Sequence, residues 1–230
     1  DAMACGGLHD HIGGGFHRYS TDEEWLVPHF EKMLYDNGLL LKLYAEVLLT
    51  ENLSTEKVLT ENQRSLFLNT LKETTDYILR DMTSSSGLFY ASEDADSEGE
   101  EGKFYVWSKK EILETLDKHL ITHSDAEKFC EVYGVTESGN FEHTGRCALS
   151  LQTTDQESIK KMASLKKILF REREKRIHPG KDKKHLVSWN SLMIPGFLWT
   201  AEAFKDHSKE YSEKLKNAAL KAFDGITQNA

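Results

Sequence analysis

Ionisable side chains are concentrated around a triple glycine in one short stretch of the sequence, residues 6–37. The stretch contains His9, Asp10, His11, His17, Arg18, Asp22, His29, Glu31, Lys32, Asp36 and Asn37. Gly13, Gly14 and Gly15 allow the backbone to adopt left-handed conformations and to approach a neighbour closely. The pattern favours a loop that forms a site, although the polar groups could instead satisfy one another within a glycine-rich turn.

The residues that follow the triple glycine are the best candidates for acid–base chemistry. Apolar residues over 28–50 follow the helical period, and the proline at position 28 suits a first helical turn. On such a helix His29, Lys32 and Asp36 share one face. Histidine is the usual acid or base near neutral pH, and Glu31 and Asp36 supply carboxylates beside it. A plain salt bridge between Lys32 and Asp36 is the alternative.

An acidic loop at residues 94–102 offers further oxygen atoms for binding. Asp94 and Asp96 occupy the first and third positions of a calcium-loop pattern. The twelfth position is Tyr105, where that pattern requires a bidentate glutamate. We therefore expect Asp94 and Asp96 to face a substrate, with calcium binding or a plain solvated turn as the alternatives.

A metal site could in principle be assembled from four histidines, His9, His11, His17 and His29. Their spacing matches no recognisable ligand motif, so the sequence predicts no metal and no cofactor. Trp189 and Asn190 stand near a helix start and pair a flat apolar ring with a hydrogen-bonding amide, as sugar-binding sites often do. A core tryptophan beside a capping asparagine is the alternative.

Composition narrows the class of protein. Acidic residues outnumber basic ones 38 to 29, and the net charge of −9 argues against nucleic acid as a partner. Cys5, Cys130 and Cys147 are odd in number and widely spaced, which is typical of an intracellular, reducing compartment such as the cytoplasm. Apolar runs are too short to cross a membrane, so we expect no membrane partner.

Hydrophobic periodicity predicts a mainly α protein. The predicted helices cover about 28–50, 60–82, 109–120, 124–133, 157–176, 188 onward with a kink at Pro195–Gly196, and 210–223. The segments GLFYAS and GKFYVWS are expected to pair as a β-hairpin carrying the acidic loop, and GNFE at 139–142 to be extended. The short polar link ENLSTEKVL predicts that the first two helices form a hairpin.

Four blocks of the sequence closely resemble the spermatogenesis-associated protein 20-like family of thioredoxin-domain-containing proteins. The blocks cover residues 1–37, 87–112, 133–142 and 173–194, in the order and spacing of that family, and GGGFHRYSTD and PHFEKMLYDN are intact. Departures from the family pattern stand at His9, His11, Gly38, Cys147, Lys183 and Ser191.

The resemblance implies a thioredoxin-like domain in the full-length chain, followed by an (α/α) toroid of the six-hairpin glycosidase type. Such toroids are similar to N-acylglucosamine 2-epimerases. The chain would then be one incomplete toroid domain over 1–230, with small β-hairpins at one end and without the thioredoxin-like domain. An incomplete barrel exposes apolar faces, so self-association is expected.

The resemblance implies a carbohydrate-active domain, either a sugar epimerase or isomerase or a glycoside hydrolase-like enzyme acting on a small sugar-like molecule. His29 is then the expected acid or base, and Glu31 and Asp36 are its supporting carboxylates. His17 and Arg18 would contact the substrate. The alternative is a non-catalytic binding or scaffold module that works with the thioredoxin-like domain in redox or protein quality control.

Overall fold

The fold described here is a computed structural model of residues 1–53 and 59–229. The described residues form two compact units. The first comprises 1–13, 17–31 and 94–180, and the second comprises 14–16, 32–93 and 181–230. The predicted link between the first two helices falls largely on residues 54–58, outside the described residues. The single domain over 1–230 stays a prediction.

The protein is mainly helical, as predicted. Its helices are α1 (Ala2–Cys5), α2 (Leu34–Leu53), α3 (Glu61–Asp81), α4 (Lys109–Lys118), α5 (His123–Val132), α6 (Gln156–Arg173), α7 (Val187–Ala203) and α8 (Lys209–Asn229). The short strands are β1 (Tyr19–Ser20), β2 (Pro28–His29), β3 (Lys32–Met33), β4 (Ser92–Glu93), β5 (Asp96–Ser97), β6 (Glu100–Glu101), β7 (Trp107–Ser108), β8 (Arg146–Cys147) and β9 (Lys181–Asp182).

The first unit packs α4, α5 and α6 around an apolar core. Ile112, Phe129 and Leu169 are fully buried in this core. Ser108 caps α4 through a capping box with Glu111, which satisfies backbone donors that the helix itself leaves open. Strands β7 and β8 pair antiparallel beside these helices and place Trp107 opposite Cys147.

The second unit is built from α2, α3, α7 and α8, with α7 packed against α2 and α8. Gly38 and Gly196 allow α2 and α7 to approach closely. A Cβ atom on Gly196 would lie only 2.7 Å from the Gly38 carbonyl oxygen, so larger residues would separate the helices. Helix α7 continues through Pro195, which removes one backbone donor inside the helix, and the kink at Pro195–Gly196 stays a prediction.

The predicted helix start at residue 28 is wrong. Residues 28–29 pair antiparallel with β1, and residues 32–33 pair with β4, so α2 begins only at Leu34. Strand pairing overrides the local helical period here, and for residues 32–33 the partner strand is about sixty residues away in the chain. As a consequence, His29 and Lys32 do not lie on a helix face together with Asp36.

The predicted hairpin between the two aromatic segments is wrong as well. Strand β4 pairs with β3 and β9, whereas β7 pairs with β8. The acidic loop forms its own hairpin, in which β5 pairs with β6 across Glu98 and Gly99. Both turn residues have positive φ, the geometry that suits a tight two-residue hairpin turn. In the GNFE segment, Phe141 forms an isolated bridge with Arg146.

Candidate functional site

His29 lies on β2 of the first unit and is directly opposite Tyr19 on β1. The two rings stack with their centroids 4.9 Å apart and their planes 24° apart. The His29 side chain is 24% exposed, so solvent or a small molecule can reach the imidazole while the tyrosine limits its motion. An aromatic platform and a titratable ring therefore stand side by side at an accessible surface.

Glu101 holds one nitrogen of this imidazole. His29 Nδ1 donates to Glu101 Oε1 at 2.6 Å, because an ionised carboxylate can only accept. The same oxygen accepts the backbone N–H of Phe30 at 3.2 Å, which fixes the carboxylate. Glu101 was not predicted from the sequence as a site residue. Its only sequence signal was its position in the acidic loop, which the β5–β6 hairpin carries to His29.

The second nitrogen of His29 faces Glu31. Its Nε2 lies 3.7 Å from Glu31 Oε2, close enough for electrostatic attraction but beyond hydrogen-bond distance. Glu31 Oε2 also accepts a hydrogen bond from Arg18 Nη1 at 3.1 Å. The predicted residues His29, Glu31 and Arg18 are thus brought together. We refer to these three residues with Tyr19 and Glu101 as the His29 site.

Asp36 and His17 were also predicted as site residues, but neither is part of the His29 site as defined above. Asp36 is half-buried in the first turn of α2, in the second unit. His17 is buried in the first unit, where its Nδ1 lies 2.8 Å from the Phe30 carbonyl oxygen. Its ring packs edge-on against Tyr105 with centroids 4.8 Å apart. This geometry suits a side chain that fixes the strand carrying His29.

A buried ion pair supports the same unit and was not predicted from the sequence. Arg173 donates to both carboxylate oxygens of Asp10, at 2.8 and 2.9 Å, and both side chains are almost fully buried. Asp10 also accepts the backbone N–H groups of Ile12 and Gly13 at 3.0 Å each. Burial alone would lower the pKa of Arg173, but the adjacent Asp10 carboxylate outweighs it and raises that pKa.

Lys32 and Asn37 organise the triple glycine within the second unit. Lys32 is buried, donates to the Gly14 carbonyl oxygen at 2.8 Å and lies 4.3 Å from the centroid of the Tyr77 ring. The Asn37 amide accepts the N–H of Phe16 at 2.8 Å and donates to the carbonyl of the same residue at 3.0 Å. These bonds fix the backbone immediately before His17 and Arg18 in the chain.

The acidic hairpin is exposed. Asp94 and Asp96 both lie at the surface, and Asp94 Oδ1 accepts the Asp96 N–H at 3.3 Å. Lys103 pairs with two other acids of the hairpin, at 2.8 Å from Glu100 and 3.4 Å from Glu98. Among residues 1–53 and 59–229, no group of three histidine, cysteine or acidic side chains is arranged to hold a metal ion.

Trp189 and Asn190 lie in the first turn of α7. Trp189 is half-buried and packs edge-on against Tyr35, with ring centroids 4.8 Å apart. Asn190 is buried and borders a cavity of about 390 Å³ in the second unit. Its amide accepts the Phe89 N–H at 2.8 Å and donates to the carbonyls of Phe89 and Leu186. The amide therefore ties the segment around Phe89 to the helix.

The fold and site define a mainly helical protein with small antiparallel β-hairpins and an accessible histidine placed between two carboxylates. Within the part of the chain that the structure describes, no helix combines the length and the apolar character that a membrane span requires. No family model matches the sequence.

Curated relatives identify the family. The chain is 36% identical over 228 residues to human spermatogenesis-associated protein 20, covering 86% of this chain and 28% of that protein. The mouse protein of that name is 34% identical over 231 residues, covering 87% and 28%. An uncharacterised protein of Caenorhabditis elegans is 32% identical over 246 residues, covering 95% and 32%. The chain belongs to the spermatogenesis-associated protein 20-like family and spans less than a third of these relatives.

Proposed function

We propose that the His29 site performs acid–base chemistry on a small sugar-like molecule, as part of a carbohydrate-active (α/α) toroid. The observation that carries the proposal is the contact between His29 Nδ1 and Glu101 Oε1 at 2.6 Å. A carboxylate that accepts from Nδ1–H fixes the tautomer, and in the neutral ring of that tautomer Nε2 carries the lone pair. His29 Nε2 is then available as a base.

The neighbouring side chains suit the same chemistry. In an epimerisation or isomerisation, His29 Nε2 would take the proton from the carbon next to a carbonyl group. The C–H electron pair would form a carbon–carbon double bond while the π electrons of the carbonyl group move to its oxygen, which gives an enolate. An acid would then return a proton to carbon. Glu31 lies close enough to stabilise the imidazolium that forms, since its Oε2 is 3.7 Å from Nε2.

Substrate binding would use the two groups that flank the imidazole. Tyr19 is 51% exposed and offers an aromatic ring edge and hydroxyl next to His29. Arg18 donates to Glu31 through Nη1, and a guanidinium is a donor group of the kind that binds sugar hydroxyl or carbonyl oxygens. The sequence predicts four further site residues, Asp36, Asp94, Asp96 and Trp189. Their roles stay predictions from the sequence.

The proposal is tested by incubating the protein with a panel of aldoses, ketoses, N-acylhexosamines and aryl glycosides, followed by separation of isomers and hydrolysis products. We expect turnover of one class, and its loss on His29→Gln. His123→Gln is the matched control, because His123 is an exposed histidine of α5 in the same unit. Absence of turnover and of sugar binding, together with thiol-dependent co-purification of proteins, would instead favour a non-catalytic redox module.

A further inference from the structure

The first unit contains a cavity of about 280 Å³. None of the residues that line it belongs to the His29 site. The cavity lies between α4 and the end of α6 and is lined by Trp107, Glu111, Glu114, Thr115, Lys118, Glu172, Lys175 and Arg176. The four residues from α4 are spaced as one helical face. Its lining is almost entirely polar or charged, so it suits a polar ligand.

One buried hydrogen-bond donor in this lining lacks an acceptor. Trp107 is almost fully buried, and its indole N–H has no hydrogen-bond partner among residues 1–53 and 59–229. Buried donors are normally satisfied, and leaving one open costs about 1–3 kcal/mol. A ligand that supplies acceptor oxygens would remove this penalty.

Arg176 is the central cation of the cavity. Its Nη1 donates to the carbonyls of Phe104 and Val106 at 2.8 and 2.9 Å, and its guanidinium lies 4.0 Å from the centroid of the Trp107 ring. Its Nη2 is 3.9 Å from Glu111, beyond hydrogen-bond distance. Burial lowers the pKa of Arg176 to about 10, as expected for a cation whose charge is incompletely balanced.

The carboxylates of the lining already have partners. Glu111 accepts the Ser108 N–H at 2.8 Å and lies 3.5 Å from Arg146. Glu172 pairs with Lys175 at 2.6 Å, and Glu114 lies 3.8 Å from Lys110. Lys118, at the rim, forms no ion pair with the described residues. The lining thus contains three acids and three cations, and all three acids have basic partners, two of which lie outside the lining.

We propose that this cavity binds a small oxyanion, the phosphate or carboxylate group of a metabolite. Arg176 presents a planar donor group that matches both kinds of anion. The Thr115 hydroxyl and the Lys118 ammonium add a neutral and a charged donor. The cavity shares no residue with the His29 site. Failure of the anion-binding proposal would therefore leave the proposed acid–base function unaffected.

The test is calorimetric titration of the protein with inorganic phosphate and, separately, with citrate, at constant ionic strength set by chloride. We expect saturable binding of at least one of the two anions. Lys118→Gln should weaken it about tenfold, the effect of one charge-assisted hydrogen bond, and Thr115→Val about threefold. Both variants avoid Arg176, whose bonds to backbone carbonyls also support the fold.

Lys160→Gln is the matched control, because Lys160 is an exposed lysine of α6 outside the cavity. It should bind the anion like the parent. Binding of phosphate alone would assign the site to a phosphoryl group, and binding of citrate alone to a carboxylate. No saturable binding of either anion at millimolar concentration would overturn the proposal. Equal weakening by Lys118→Gln and Lys160→Gln would also overturn it, because the effect would then be one of general charge.

Discussion

His29 and Glu101 are 72 residues apart in sequence, and His29 Nδ1 lies 2.6 Å from Glu101 Oε1. Two separate strand pairings produce this contact. The β1–β2 ladder places His29 beside Tyr19, and the β5–β6 hairpin carries Glu101. The orientation of the imidazole therefore depends on a side chain from the acidic loop.

Glu101→Gln tests the orienting role of this carboxylate. The amide keeps the shape of the side chain but loses its charge, so we expect activity to fall by about 10- to 100-fold, equivalent to a charge-assisted hydrogen bond. Stability should change by less than about 1 kcal/mol, because the pair is partly exposed. Glu100→Gln, which affects only the pair with Lys103, is the control. Equal activity of the two variants would remove Glu101 from the site.

The buried pair of Asp10 and Arg173 should dominate the stability of the first unit. Asp10→Ala leaves a buried guanidinium without its carboxylate and should lower the free energy of unfolding by about 3–5 kcal/mol. Urea unfolding measures this change. Glu157→Ala removes the exposed pair with Lys161 and should cost less than about 1 kcal/mol. Similar losses for the two variants would contradict the structural role of the buried pair.

Alanine substitutions at Gly14 and Gly99 distinguish the cost of backbone strain from the cost of steric conflict. Both have positive φ, +82° and +77°, but a Cβ on Gly14 would collide with the Glu73 carbonyl oxygen whereas one on Gly99 meets open space. Gly99→Ala should therefore cost about 1 kcal/mol, the strain of a left-handed residue. Gly14→Ala should cost at least about 2 kcal/mol more, since the packed backbone must shift. Equal unfolding temperatures of the two variants would contradict the close approach of Gly14 to the Glu73 carbonyl group.

An apolar stripe on α2 is expected to promote self-association. Leu39, Leu43 and Val47 recur every four residues, and all three are exposed. Exposed apolar surface of this kind binds hydrophobic dyes and promotes contacts between molecules. We expect Leu43→Lys to reduce dye fluorescence and concentration-dependent association in sedimentation experiments. Monomeric parent protein without dye binding at high concentration would count against this prediction.

The sequence predicted the helices well, because their signals are local. The apolar periods of α3, α4 and α5 and the Thr60–Gln63 capping box lie within the helices or next to their ends. The start of α2 and the aromatic hairpin were predicted wrongly. Residues 32–33 pair with strand β4, about sixty residues later in the chain, and no local pattern encodes that choice.

The residues of the His29 site were predicted only in part, again because local relationships can be read from the sequence and distant contacts cannot. His29, Glu31 and Arg18 come together because they lie in or directly beside the paired strands β1 and β2, close together in the chain. Glu101 and the Asp10–Arg173 pair depend on contacts between distant segments, which spacing in a single sequence does not reveal. Asn190 was recognised as important, but its amide bonds are with the backbone of Phe89 and Leu186.

The most direct test of the central claim is hydrogen–deuterium exchange into the sugar substrate in D₂O, followed by NMR for the parent and for His29→Gln. If His29 moves the proton, the parent should incorporate deuterium at the carbon next to the carbonyl group. His29→Gln should slow this exchange by about 10²–10⁴-fold, and its thermal stability should stay within about 1 kcal/mol of the parent. Exchange by His29→Gln at the parent rate, or loss of exchange only through unfolding, would contradict the account.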